Sequence, residues 1–359
     1  MARLDSFLRL VADQQASDLH FHAGNPPIIR HDGALLPLPF RSLTDEEARR
    51  FLVEIMTPEQ RATFERAGDL DFAYELPGVA RFRANVFLQS GGVGAVFRII
   101  PARIPTIDEL GLPNVLRRIA SWQNGLVAVT GATGSGKTST LAAIIHEVNT
   151  TSQRHIITIE DPIEYVHEPR RCAITQRQVG LHTDSFASAL RSALRESPDV
   201  LVIGEMRDLE TVQLALHAAE TGVLVFGTLH TGSASKSVDR IIDLFPDDTR
   251  DQVRSTLSVI LRAVVSQHLC RRSSGEGRIA AVEVLLQSYA FAHLVREGKT
   301  HQIDSFLQGS EHSASGMQSL DGCLLSYVRE GLISAEEAVS VASYPDLLAK
   351  AVKELPLDY

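Results

Sequence analysis

The chain has 359 residues, of which 44% are apolar and 22% charged, with a formal net charge of −9. This length suits about two globular domains and excludes a disordered or fibrous protein, and no apolar run approaches the roughly 18 residues of a membrane span. The acidic balance and lack of long basic runs argue against a nucleic-acid partner, although a basic channel enclosed in a ring escapes that argument.

The opening MARLDSF carries Arg3 and Asp5 with no apolar leader core behind them, so a cytoplasmic protein is expected. Residues 5 to 15 place Phe7, Leu8, Leu10 and Val11 on one side of a short helix. From Ser17 to His22 the pattern alternates, which predicts a strand with Leu19 and Phe21 on one face and His20 and His22 on the other. Two histidines at i and i+2 suit a metal, but with no third ligand nearby a solvated strand face is the preferred reading. Thr44 with Glu47, and Thr57 with Gln60 behind Pro58, form capping boxes that start two helices, the second ending at Gly68. LDFAYEL and ARFRANVFL then read as strands joined through Pro77 and Gly78. In the second, Phe82, Ala84, Val86 and Leu88 are expected to face a core, while Arg81, Arg83 and Asn85 share the opposite face. After a turn at Gly91 and Gly92, Val96 to Ile100 returns as a strand carrying Arg98.

Pro101, Pro105 and Pro113 break the periodicity, so residues 101–113 read as a linker between an N-terminal α+β domain, 1–100, and a second domain. Beyond it, buried-strand runs at 126–130, 155–160, 199–204 and 223–229 alternate with helical runs near 138–148, 185–195 and 208–220. That alternation predicts an α/β domain, 114–287, with a mainly parallel sheet covered by helices on both faces. Arg271 to Gly277, RRSSGEG, reads as a polar, flexible break. Residues 288–359 are helical in pattern, with a glycine-rich interruption between Gly309 and Gly316. Cys172, Cys270 and Cys323 lack any CxxC spacing, which favours three reduced thiols over a disulfide framework or a zinc site.

The stretch GLVAVTGATGSGKTST, Gly125 to Thr140, meets the pattern GxxxxGK[ST] in Gly131, Gly136, Lys137 and Thr138. A strand, a glycine loop and a helix follow in the order a polyphosphate cradle requires. Residues Gly131, Ala132, Thr133, Gly134, Ser135, Gly136, Lys137, Thr138 and Ser139 are the expected nucleotide-binding set. Lys137 would neutralise the β and γ phosphates, Thr138 would offer its hydroxyl to Mg²⁺, and the helix start would face the anion. Two later strands end in acids: Glu160, Asp161 and Glu164 in EDPIE, and Glu205 and Asp208 after Gly204. Ligands gather at the carboxyl ends of strands in open α/β sheets, so these acids are expected to converge on the loop, joined by Thr228 and His230.

LRESPDVLVIGEMRD, Leu194 to Asp208, resembles the signature of the type II and type IV secretion ATPases, and TIEDPIE, Thr158 to Glu164, resembles their Asp box. With TLHT at 228–231, ASDLHF near the start and GMQSLD at 316–321, nearly the whole chain is similar to the pilus retraction ATPases, the PilT family. The resemblance implies a PAS-like N-terminal domain, a RecA-like P-loop ATPase domain with a helical C-terminal region, and a homo-hexameric ring driven by ATP and Mg²⁺. It implies Glu164 as the water-orienting base, Glu205 as the Walker B acid near the metal and His230 as the second His-box histidine. Arg83 and Arg98 match positions from which arginines are offered to the nucleotide from another domain or subunit. An inner-membrane pilus platform protein and a paralogous retraction ATPase are the implied partners, with the ring peripheral at the pilus base.

Two departures from the family stand out. The His box usually reads TGHLV, but Val223 replaces the first histidine, which predicts slow turnover if that histidine relays protons or senses nucleotide. The motif similar to AIRNLIRE reads AFAHLVRE, Ala290 to Glu297, with Ala292 and His293 in place of arginine and asparagine. The alternatives are a weakly hydrolysing accessory subunit acting with a paralogue, a pilus extension or secretion ATPase, and a DNA translocase. The extension type usually carries a tetracysteine module and a longer N-terminal region, neither of which the sequence has.

Overall fold

Alternating and continuous apolar runs separate the chain into two kinds of sheet, each in its own compact unit. A computed structural model describes residues 2–31, 34–100, 103–309 and 315–355. The first unit comprises the residues up to Arg103 together with Pro162–Val166; the second comprises Ile104–Asp161 and the described residues from His167 onward.

The first unit is built on an antiparallel sheet of strands β1 Asp18–His22, β2 Ile28–His31, β3 Ala34–Pro37, β4 Asp69–Leu76, β5 Ala80–Gln89 and β6 Gly92–Ile100, in the order β3-β2-β1-β6-β5-β4. One face packs Leu19, Phe21, Phe82, Ala84, Val86, Ala95 and Phe97 with Leu8 and Leu52 from helices Asp5–Asp13 and Asp45–Ile55. Both capping boxes form, on Thr44 with Glu47 and on Thr57 with Gln60, because each pairs a β-region N-cap hydroxyl with an acceptor side chain three residues on. The second box opens the helix Pro58–Ala67, which ends at Gly68 in the left-handed conformation.

Three expectations need correction here. Leu88 follows the core alternation but is exposed: β4 begins at Asp69 opposite Phe87, so beyond it only Gly68, without a side chain, faces Leu88. Strand β6 begins at Gly92 rather than Val96, and Gly94 inside it is required by the Phe87 ring, which a Cβ would approach to 2.9 Å. His20 and His22 do not form a freely solvated face. Both are half-buried with Nε2 shielded and unpartnered, and burial lowers both pKa values. Among the described residues no group of three His, Cys, Asp or Glu side chains is arranged to hold a metal.

The second unit contains strands β7 Gly125–Thr130, β8 His155–Glu160, β9 Ala173–Gln178, β10 Val200–Ile203, β11 Leu224–Leu229, β12 Leu261–Arg271 and β13 Arg278–Leu286. Their order is β13-β12-β7-β11-β10-β8-β9, and every pairing is parallel except that of β13 with β12. All residues of β7, β10 and β11 are buried, as strands covered on both faces require. Helices Lys137–Thr151, Phe186–Ala193 and Leu209–Glu220 fall on the helical runs of the sequence. Strands β2, β3, β9, β12 and β13 do not announce themselves as separate runs. RRSSGEG is a hairpin turn rather than a flexible break: Arg271 opposes Arg278, and Gly275 and Gly277 supply the positive φ the reversal needs.

Helices Tyr289–Arg296, Ile303–Leu307, Leu320–Arg329, Ala335–Val341 and Pro345–Lys353 follow. The core of the glycine-rich interruption, 310–314, and the linker residues 101–102 lie outside the described residues. Cys270 and Cys323 sit in a small apolar cluster with Leu320, Leu324 and Leu348, and all three cysteines are free and buried. Burial pushes the Cys270 thiol up to about 11, which keeps it protonated and unreactive.

Candidate active site

Strand β7 ends at Thr130 near the middle of the parallel sheet, and the chain then wraps through Gly131–Gly136 into the helix Lys137–Thr151. Gly131 has φ +145°, and a Cβ there would come within 2.5 Å of both the Gln267 carbonyl oxygen and Ser135 Oγ. Gly136 has φ +88°, and a Cβ would lie 2.7 Å from Gln267 Nε2. Lys137 is buried, and its Nζ donates to the carbonyls of Gly131 at 2.7 Å and Ala132 at 2.9 Å. The ammonium is thereby held over the loop by the loop's own oxygens. Ser135 Oγ is shielded from water and has no hydrogen-bond partner. An unpartnered buried hydroxyl costs about 1–3 kcal/mol, which a phosphate oxygen accepting its proton would offset.

Gln267, on β12, is the residue that shapes the loop from behind. Its Nε2 donates to the Ser135 carbonyl at 2.7 Å, and its Oε1 accepts from Thr140 Oγ1 at 2.6 Å. The neighbouring His268 places Nε2 3.1 Å from the Gly232 carbonyl. A buried amide directly after the apolar run Ala263–Val265 of β12 and Ser266 was the available signal for this role, since such a group is retained only with partners. Gly136→Ala is expected to weaken nucleotide binding by at least about tenfold, because it combines left-handed strain with displacement of the Gln267 amide. Titration with a fluorescent ADP analogue measures this, and unchanged affinity would contradict the fit described.

The carboxyl ends of β10 and β11 deliver the next groups. His230 Nε2 lies 2.9 Å from Glu205 Oε1, and His230 Nδ1 lies 3.5 Å from Thr133 Oγ1 in the loop. Glu205 also pairs with Arg207, whose guanidinium it stabilises in the charged form. The backbone here is fixed by Thr228, which donates to the Gly204 carbonyl, and by Met206 N, which donates to the Thr228 carbonyl at 3.0 Å. Glu160 is engaged locally: its Oε1 accepts from Thr158 Oγ1 at 2.7 Å and Gln176 Nε2 at 3.1 Å. Val223 immediately precedes β11, where its carbonyl accepts from Gly125 N. The six residues of β11 separate it from His230 by about 20 Å, so the missing imidazole is not a change beside the loop of this unit.

The remaining candidates belong to the first unit. Arg83 and Arg98 are paired directly across β5 and β6. Two cations in that relation repel, and each is offset by an acid. Arg83 Nε lies 3.5 Å from Asp71 Oδ1, and Arg98 Nε lies 2.8 Å from Oδ1 of the buried Asp18, which also takes Ser17 Oγ at 2.7 Å. Glu164, in the segment Pro162–Val166, places Oε1 3.9 Å from Arg83 Nη1. Thus Glu205, His230 and the loop come together in one unit, and Glu164, Arg83 and Arg98 in the other. Asp18 and Asp71, which hold the arginines in place, carry no sequence signal for that role, because the partner lies across the sheet.

A glycine loop with a buried lysine at the carboxyl end of a central parallel strand defines a P-loop nucleotide-binding protein. The chain belongs to the type II/IV secretion system protein family, whose model matches residues 2–335. It is 49% identical over 343 residues to the type IV pilus retraction ATPase PilT of Pseudomonas aeruginosa, covering 96% of this chain and 99% of that protein. It is 41% identical over 349 residues to the type IV pilus ATPase PilU of the same organism, covering 97% and 91%. A crystal structure of the pilus retraction motor PilT with bound ADP aligns with a TM-score of 0.89 at 44% identity, covering 98% of this chain and 99% of that one. The chain is an ATPase of this family. Among the described residues no helix is long and apolar enough to cross a membrane.

Proposed function

We propose that this protein hydrolyses ATP as a hexameric ring motor that powers type IV pilus retraction and twitching motility. The observation that carries the reading is the Glu205–His230–Thr133 chain, which links an acid at the end of β10 to the phosphate loop. A loop that only bound nucleotide would not need it. The second unit is read as a RecA-like ATPase domain of residues 114–287 with a helical region, 288–359, and the first, 1–100, as a PAS-like domain joined by the linker 101–113. The loop residues Gly131 to Ser139 hold ATP, with Lys137 turning from its carbonyls to the β and γ phosphates. Oxygen donors suit Mg²⁺, and the Thr138 hydroxyl and the Glu205 carboxylate would hold it with the phosphates, where it would neutralise developing charge. Glu164 orients the attacking water, and His230 senses the state of the loop through Thr133. Arg83 and Arg98, held by Asp71 and Asp18, present guanidinium charge to the transferred phosphoryl group. The ring acts in the cytoplasm against an inner-membrane platform protein, with a paralogous ATPase as companion.

Deleting the gene tests the reading. Hyperpiliated cells that do not twitch are expected, and loss of pili would refute retraction in favour of extension. An accessory role is the second reading, motivated by Val223 in place of the first His-box histidine and by the altered AFAHLVRE, Ala290 to Glu297. Intact ATP binding with negligible turnover by the isolated protein would select it.

A further inference from the structure

After Arg278, strand β13 carries a single carboxylate inside an otherwise apolar run, IAAVEVLL. That residue, Glu283, is buried, and among the described residues it takes part in no ion pair. Its Oε1 accepts from Ala234 N at 2.7 Å, and the backbone amide of Leu320 faces the carboxyl and favours its ionised form. Both amides open helices, Ala234–Asp243 and Leu320–Arg329, and the first amides of a helix have no intrahelical acceptor. The two helices come from different parts of the chain. The first continues directly from Thr228–Ser233, the loop that carries His230. The second begins the C-terminal helices, and the segment before it is bound to the same strand: Gln318 pairs with Val284 through both backbone bonds, and its Nε2 donates to the Val282 carbonyl at 2.6 Å.

Around the Ala234 end the polar contacts lead back to the phosphate loop. Thr231 Oγ1 lies 2.6 Å from Ser237 Oγ, which lies 3.3 Å from Oγ1 of Thr130, the last residue before Gly131. Ser266, the cross-strand neighbour of Glu283, is also in register with Thr130, and its Oγ is buried without a partner. We propose that Glu283 is a positioning residue that clamps the His230 loop to the C-terminal helices, so that hydrolysis at the phosphate loop depends on how those helices are seated. The inference rests on the reading of the chain as an ATP hydrolase with His230 in its site.

The clamp is complete only when Glu283 is ionised, since a protonated carboxyl turns one of its two acceptors into a donor. Burial pushes Glu283 up to about 7, and Asp304 of helix Ile303–Leu307 and Asp321 of helix Leu320–Arg329 add to the rise, while the Ala234 and Leu320 amides oppose it. Tyr344 also faces the group, Ser266 beside it carries no charge, and Lys236 and Arg240 of the capped helix are exposed. The carboxylate should therefore lose its second acceptor as pH falls through about 7.

Glu283→Gln fixes the group in its neutral shape. Expected are nucleotide affinity within about twofold of wild type and faster hydrogen exchange at the amides of residues 230–234, with kcat about fivefold lower at pH 8, the scale of one lost helix cap. Wild type should approach the variant's kcat as the pH is lowered to 6, and the variant should lack a transition near pH 7. Ala234→Pro removes the donor at the first helical position, where proline is tolerated, and should lower kcat similarly. Combining the two should cost no more than either alone. Unchanged exchange at residues 230–234 in both variants, or wild-type kcat and pH profile in both, overturns the inference. Wild-type protein that binds but does not hydrolyse ATP overturns the catalytic reading instead, and the exchange measurement then decides the clamp by itself.

Discussion

Lys137→Ala is expected to abolish measurable ATP turnover, with a fall in kcat on the order of 10²–10³ or more, while the fold is retained. The side chain is buried against the Gly131 and Ala132 carbonyls, so its charge is already desolvated and aimed into the loop before nucleotide arrives. Binding requires only that the ammonium move from carbonyl oxygens to phosphate oxygens, which are stronger acceptors. Removing it leaves the amides of the loop but no fixed positive charge where the transferred group gains negative charge. A malachite-green phosphate assay over a range of ATP concentrations measures the loss, and full activity in this variant would sink the mechanism proposed above. Far-UV circular dichroism should be unchanged, because the helix Lys137–Thr151 keeps its apolar contacts through Leu141, Ile144, Ile145 and Val148.

Glu205→Gln is expected to separate binding from turnover. The carboxylate is largely buried, is 2.9 Å from His230 Nε2 and pairs with Arg207, so the amide would keep the volume while removing the charge that organises both partners. Nucleotide affinity should change by no more than a few-fold, since the loop and Lys137 are untouched, whereas kcat should fall by about 10²-fold. A parallel rise in Kd would instead assign Glu205 to holding the loop together. The comparison with Lys137→Ala is informative because the two residues act on the same phosphates from different strands. Their effects on kcat should be far from additive.

The parts of the molecule legible in the sequence are those set by contacts over a few residues. Each capping box lies within four residues, and both are present as read. The loop could be read from Gly131 to Thr138 because left-handed backbone and close approach restrict two of its positions to glycine. The strands β7, β8, β10 and β11 showed themselves as continuous apolar runs, which only doubly covered parallel strands need. What the pattern could not supply was the partner of any side chain. Leu88 continues a correct alternation and is still exposed, because β4, the strand beside it, begins only opposite Phe87. His20 and His22 read as a solvated face, yet their Nε2 atoms are buried.

By itself the sequence determined a phosphate-binding loop, acids that follow two strand runs and arginines on two successive strands, because each depends on residue type and short spacing. Only the tertiary structure decided that Gln267 supports the loop across 132 residues, that Asp18 fixes Arg98 across 80, and that Glu283 caps the helix starting at Ala234 across 49. The physical reason is the same in each case. A buried polar group must find a partner, and which partner it finds depends on how strands and helices distant in the chain are brought side by side.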